Sequence, residues 1–249
     1  MTNENNDPRV ALVTGGAGGI GQGLCRRLAA DGFDIGIAYH SSASEAESLA
    51  RECEQFGVRA CPIKTDLADP DEVHAMFETA AAEFGGLNVF VHNAATTVFA
   101  KLGRASYEDW RRTFAVNTDS LYYALGEVSK RMADGGRVIT ISSLSVAACL
   151  PGSASYSASK AAVEAITRVA ARELGPRGIT SNCLQLGLVD TPSARMVMTE
   201  ASFEPIAQQS NLRRIGMPTD VAGMVSFLAG PDSSWLTAQT IRLDGGFAV

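Results

Sequence analysis

The chain lacks a basic excess. Of its 249 residues, 21 are Lys or Arg and 27 are Asp or Glu, a net charge of −6. A nucleic-acid or anionic-membrane binder needs the opposite sign, so neither partner is expected. Long apolar runs are missing too: no stretch approaches the ~20 residues of a membrane-spanning helix. Charged residues make up only 19% and apolar residues 46%, which excludes disorder for the bulk of the chain and allows a large core. The five cysteines (Cys25, Cys53, Cys61, Cys149, Cys183) form an odd set with no CxxC pair. We expect reduced, buried thiols and no metal site. The opening segment, Met1 to Pro8, is polar and has no signal-peptide core. The expectation is a cytoplasmic protein with a flexible tail at 1–8 and one domain over 9–249.

Short Val/Ile-rich runs alternate with helical patterns. The runs are Val10–Thr14, Asp34–Tyr39, Val58–Lys64, Leu87–Val91, Arg137–Ile141, Thr180–Gln185 and Thr240–Leu243. Their composition suits strands buried on both faces. Between them, Ala46, Leu49, Ala50 and Cys53 fall on one helical face, as do Val73, Met76, Phe77, Ala80 and Phe84. Pro70 suits the first turn of the latter helix, with Asp69 as its N-cap. Repeated strand–helix–strand units imply an α/β fold: a doubly wound, seven-stranded parallel sheet with helices on both faces. One stretch, 192–218, is longer than a normal crossover loop and is the candidate lid.

The first strand runs into Thr14-Gly-Gly-Ala-Gly-Gly-Ile-Gly21. Glycines between a first strand and a first helix let the backbone approach a pyrophosphate, which the helix N-terminus then holds. The candidate cradle is Gly15, Gly18, Gly19, Ile20 and Gly21, and the fold it indicates is a single-domain Rossmann fold. At the end of the second strand an NAD site usually places a carboxylate. Here stand Tyr39, His40, Ser41 and Ser42, with nothing to repel a 2′-phosphate. NADP(H) is therefore the expected cofactor, ahead of NAD(H); the alternative is a plain surface turn. Asp66 can accept an adenine amino group with Leu67 packed on the ring, or it can cap a helix or close a turn. Asn93-Ala94-Ala95, Ser143 and Gly187 follow strands four, five and six. In a parallel sheet those carboxyl ends line one crevice. Tyr156 and Lys160 stand at i and i+4 on one helix face, about 6 Å apart.

Taken together these residues resemble the short-chain dehydrogenase/reductase family over essentially the whole chain after residue 8. The resemblance rests on Thr14–Gly21, Asp66, Asn93–Ala95, Asn117, Ser143, Tyr156–Lys160, the Gly187–Thr191 segment and Leu243–Gly246. It implies Tyr156 as general acid/base, Lys160 as its modulator and ribose ligand, Ser143 as the carbonyl-oxygen ligand and Asn117 as holder of a water relay. It adds Gly187, Val189 and Thr191 to the cofactor set. The likeness is to single-domain 3-oxoacyl-carrier-protein reductases and related ketoreductases. The sequence departs from that pattern at Ala95, at Leu186, and at Ala238, where a glycine is usual. A Lys ammonium, with the positive ring of the oxidised cofactor, is expected to lower the Tyr pKa; a three-unit drop corresponds to about 4 kcal/mol.

Two other readings use the same fold: an enoyl-thioester reductase and a non-catalytic dinucleotide sensor. The three residues between Tyr156 and Lys160, and the presence of Ser143, favour carbonyl chemistry. The substrate is expected to be a small carbonyl compound, free, acyl or carrier-bound. Met196, Val197, Met198, Phe203 and Ile206 would line the lid or pack on the core. Lys130, Arg131 and Arg177 are either a carrier-docking patch or ordinary solvated charges. A homotetramer is expected, because the 154–174 helix is apolar over more than one stripe and the chain ends in an apolar segment.

Overall fold

The computed structural model describes residues 9–247. The tail expected at 1–8 and the last two residues of the apolar terminus lie outside them. The described residues form seven strands: β1 (Arg9–Thr14), β2 (Phe33–Tyr39), β3 (Ala60–Lys64), β4 (Val89–His92), β5 (Arg137–Ser143), β6 (Thr180–Leu186) and β7 (Thr240–Leu243). All pairs are parallel, in the order β3-β2-β1-β4-β5-β6-β7. The chain winds outward from β1 in one direction, then returns to β4 and winds in the other. That reversal opens a crevice at the carboxyl ends of β1 and β4.

Burial explains the strand composition. Val10, Ala11, Leu12 and Val13 are all fully buried. Ala11 and Val13 pack into one core, with Leu24 and Leu28 of α1 (Gly19–Ala30), Leu49 of α2 (Ala43–Glu54) and Val225 of α10 (Pro218–Ala229). Val10 and Leu12 point the other way. They meet α3 (Pro70–Phe84), α5 (Ser120–Arg131) and α7 (Ala154–Leu174). Each buried Leu or Val contributes roughly 1.5–3 kcal/mol. Every helical position expected on the inner faces of α2 and α3 is buried. Asp69 caps α3 by accepting from the Asp71 N–H at 2.9 Å, with Pro70 in its first turn.

Several expectations needed adjustment. β3 starts two residues late, because Gly57 takes a left-handed turn (φ 82°) and Arg59 is held by Asp34 through its N–H at 2.8 Å and its guanidinium. β5 extends to Ser143, paired with Leu186 on the final rung. Cys25, Cys53 and Cys183 are buried free thiols, but Cys61 is half-buried and Cys149 exposed on a left-handed residue (φ 47°). The 192–218 stretch is largely helical: α8 (Pro192–Val197) and α9 (Glu200–Gln209). Its base is pinched by a bridge between Val189 and Gly216, with Asp190 N–H donating to the Gly216 carbonyl at 2.8 Å. Phe203 packs inward and Met196 is 87% exposed. The remaining α-helices among the described residues are α4 (Tyr107–Phe114), followed by a π-helical turn (Ala115–Asp119), and the short α6 (Ser145–Ala148).

Candidate active site

β1 delivers the chain to a cradle that only glycine fits. Gly15 has φ 63°, and a Cβ there would stand 2.9 Å from Ala94 Cα. A Cβ on Gly21 would meet the Gly15 carbonyl oxygen at 2.1 Å, and one on Gly19 would meet Thr191 Cβ at 2.9 Å. Gly18 is the N-cap of α1 and supplies no side chain, so the helix N-terminus has no side-chain cap. Such an end suits an anionic group. Asn93 braces the loop: its amide donates to the Thr14 and Gly15 carbonyls at 2.9 and 3.2 Å. The N–H groups of Asn93 and Ala94 bond to the Thr14 hydroxyl.

A cleft of about 580 Å³ runs from this cradle across the ends of β2 and β3. It is lined by Gly15, Gly18, Gly19, Ile20, Gly21, Tyr39, His40, Ser41, Asp66, Leu67, Asn93, Ala94, Ala95, Tyr156 and Thr191. Gly187 and Val189 do not line it. A Cβ on Gly187 would stand 2.9 Å from Asp244, so that glycine serves the close approach of the chain after β7. Val189 is buried beside Gly216. Asp66 closes a turn, one of the roles left open by its sequence, and it also faces the cleft. Its carboxylate accepts from the Ala68 N–H at 2.9 Å to close the turn into α3. Arg112 and Thr65 also line the cleft, and sequence reasoning missed both. Arg112 lies 46 residues from Asp66 and reads as a solvated charge on α4; nothing local marks the pairing.

Tyr156 lies on α7 at the inner end of the cleft, with the Phe99 ring 6.3 Å away. Lys160, one turn on, is buried, and its ammonium donates to the Ile141 carbonyl at 2.7 Å. Burial pushes its pKa down to about 8. Burial also raises the Tyr156 pKa, while the Ser143 hydroxyl beside it acts the other way. The expected drop is therefore absent in the chain by itself, where loss of water outweighs the nearby hydroxyl. Asn117, in the π-helical turn, is pinned: its amide donates to the Thr96 carbonyl and Ser159 hydroxyl at 2.9 and 3.0 Å and accepts from the Thr96 N–H at 2.8 Å. At the end of β4, His92 Nε2 meets the Ser120 hydroxyl at 2.9 Å. That hydroxyl donates to the Val116 carbonyl, so Nε2 carries the proton. Burial, reinforced by the Lys160 charge, lowers the His92 pKa to about 3, and the ring is neutral.

A family model described as enoyl-(acyl carrier protein) reductase matches residues 15–248. A short-chain type dehydrogenase/reductase from Picea abies is 38% identical, over 96% of this chain and 92% of its own length. The chain belongs to the short-chain dehydrogenase/reductase family. Among its relatives, a 3-oxoacyl-[acyl-carrier-protein] reductase of Staphylococcus aureus is 35% identical over 95% of this chain and 96% of its own. The solved structure of a blue fluorescent protein from a metagenomic library, in complex with NADPH, superposes with a TM-score of 0.92. It is 38% identical and covers 99% of this chain and 100% of that one. Among the described residues no helix is long and apolar enough to cross a membrane.

Proposed function

We propose that the protein is an NADP(H)-dependent ketoreductase that passes a hydride between nicotinamide and a carbonyl or secondary alcohol. The observation that carries this is the placement of Tyr156: it lines the dinucleotide cleft and stands beside Ser143, with buried Lys160 one turn away. The glycine cradle fits a dinucleotide, because its backbone packs too tightly against Ala94, Thr191 and itself for a Cβ and leaves the uncapped helix N-terminus facing the cleft. The Thr65 hydroxyl, buried in the cleft wall with no partner among the described residues, fits a polar ligand. The relative solved with NADPH and the absence of a carboxylate at Tyr39 support the phosphorylated cofactor.

NADPH, when bound, supplies the hydride. Ser143 donates a hydrogen bond to the carbonyl oxygen, where charge develops. Tyr156 gives that oxygen its proton. Lys160 keeps a positive charge behind the phenol and stabilises the phenolate left after transfer. Asn117 is the candidate holder of a relay water. The α8–α9 excursion, hinged at the Val189–Gly216 bridge, is the substrate lid.

Carrier docking is not favoured by the three basic residues considered for it. Lys130 and Arg131 are paired with Glu127, Arg131 also with Glu78, and Arg177 with Asp134. A free small carbonyl compound is the simpler substrate. The protein assembles as a homotetramer, with the outer faces of α7 and its predecessor α5 at one interface and β7 at another. NADPH oxidation with a panel of ketones and a matched enoyl thioester tests the reading. Turnover of ketones alone is expected; turnover of the enoyl thioester alone overturns it, and turnover of neither indicates a sensor.

A further inference from the structure

The cleft has a charged feature that the mechanism does not use. Arg112 reaches over from α4 and grips the Asp66 carboxylate with both arms, Nη1 to Oδ2 and Nη2 to Oδ1, each at 3.1 Å. Both residues line the same cleft. On its own side, Asp66 Oδ1 also accepts the Ala68 N–H at 2.9 Å. Oδ1 thus has two donors. Oδ2 has one, with His40 Nε2 further off at 3.7 Å, and it retains a free lone pair.

Stability does not account for this bridge. The Arg112 and Asp66 side chains are 45% and 29% exposed, and exposed pairs contribute about 0–1 kcal/mol. Nor is Arg112 poised for a phosphate, since its charge is already met by a carboxylate in bidentate geometry. The surroundings are those of a base. Leu67 offers an apolar wall, and the neighbouring Thr65 hydroxyl is buried without a partner among the described residues.

We propose that Arg112 is a positioning residue for the adenine base, clamping Asp66 so that Oδ2 presents a fixed, acceptor-only edge. Such an edge takes a base with an exocyclic amino group and repels one with a carbonyl oxygen there. Without the clamp, the carboxylate is free to turn toward His40. The inference rests on the dinucleotide reading of the cleft, and not on the choice between NADP and NAD.

The test is direct binding, without carbonyl substrate, followed by dihydronicotinamide fluorescence. The probes are NADPH, NADH and the hypoxanthine analogue of NADPH, whose base carries a carbonyl oxygen in place of the amino group. Wild type is expected to bind NADPH about tenfold or more tightly than the analogue, the scale of a hydrogen bond to a charged group. Arg112→Met is expected to shrink that ratio to about threefold or less while leaving the NADPH-to-NADH ratio unchanged. Arg112→Lys, which keeps the charge but loses the fork, should fall between and serves if the Met variant does not fold. A wild-type ratio retained in folded Arg112→Met overturns the clamp. Loss of NADPH affinity with NADH untouched also overturns it, by making Arg112 a 2′-phosphate ligand. A wild-type protein that binds none of the three contradicts the dinucleotide reading itself.

Discussion

Lys160 is expected to set the pH response of this site. Its pKa of about 8 means that the ammonium is present below that pH and lost above it. Tyr156, held above its ordinary value by burial, stays protonated over the same range. Carbonyl reduction needs both protons in place. We expect kcat/KM for ketone reduction to be level below about pH 8 and to fall above it. A profile level to pH 10 contradicts the role given to Lys160. At the other end of the cleft, Tyr39→Asp is expected to shift the ratio of kcat/KM values from NADPH toward NADH, because a carboxylate there repels the 2′-phosphate. An unchanged ratio places the selector elsewhere. Residues of this kind were legible in the sequence wherever their signal was local: the glycine run, the Tyr156–Lys160 spacing, the missing acid at Tyr39. Arg112 with Asp66 and His92 with Ser120 were not. Those pairs span 46 and 28 residues, and only the folded sheet brings them together.

Among the elements, the connection into β7 carries a strain that the sequence flagged as a departure. Ala238 has φ 60°, a left-handed conformation that costs a residue with a Cβ roughly 1–2 kcal/mol. It is held there by its N–H on the Ser181 carbonyl at 2.8 Å. Ala238→Gly relieves the strain, offset in part by the greater freedom of glycine in the unfolded chain. The expected result is a gain of up to about 1 kcal/mol, read as a Tm raised by roughly 2–4 °C. A lower Tm contradicts the strain argument. Strand number, type and order of appearance could be read from the alternation of apolar runs. Strand ends shifted where a side chain replaced a ladder bond, as Asn88 does by accepting from the Val10 N–H at 2.8 Å. The π-helical turn that presents Asn117 has no sequence signature, since its residues also suit an ordinary helix. The length of the 192–218 excursion stood out, but its helices did not, with Pro205 inside α9.

At the scale of the whole molecule, the apolar excess of α7 resolves into two faces. Val163, Ala170 and Ala171 pack inward. Ala161, Ala165 and Val169 are exposed, and Tyr122 and Tyr123 of α5 are exposed as well. The small outer residues allow a second copy of the helix to approach closely. Light scattering at micromolar concentration is expected to give a tetramer, four times the 26.2 kDa chain. A stable monomer contradicts the interface, and a dimer leaves only one of two.

The central claim is that Tyr156 passes the proton in an NADPH-dependent carbonyl reduction. Tyr156→Phe keeps the ring and removes only the hydroxyl. Its most direct test is single-variant kinetics beside cofactor binding. We predict a kcat lowered by about 10²–10⁴-fold, the usual reach of general acid/base catalysis, with the NADPH Kd nearly unchanged. Turnover at the wild-type rate in the purified variant contradicts the claim.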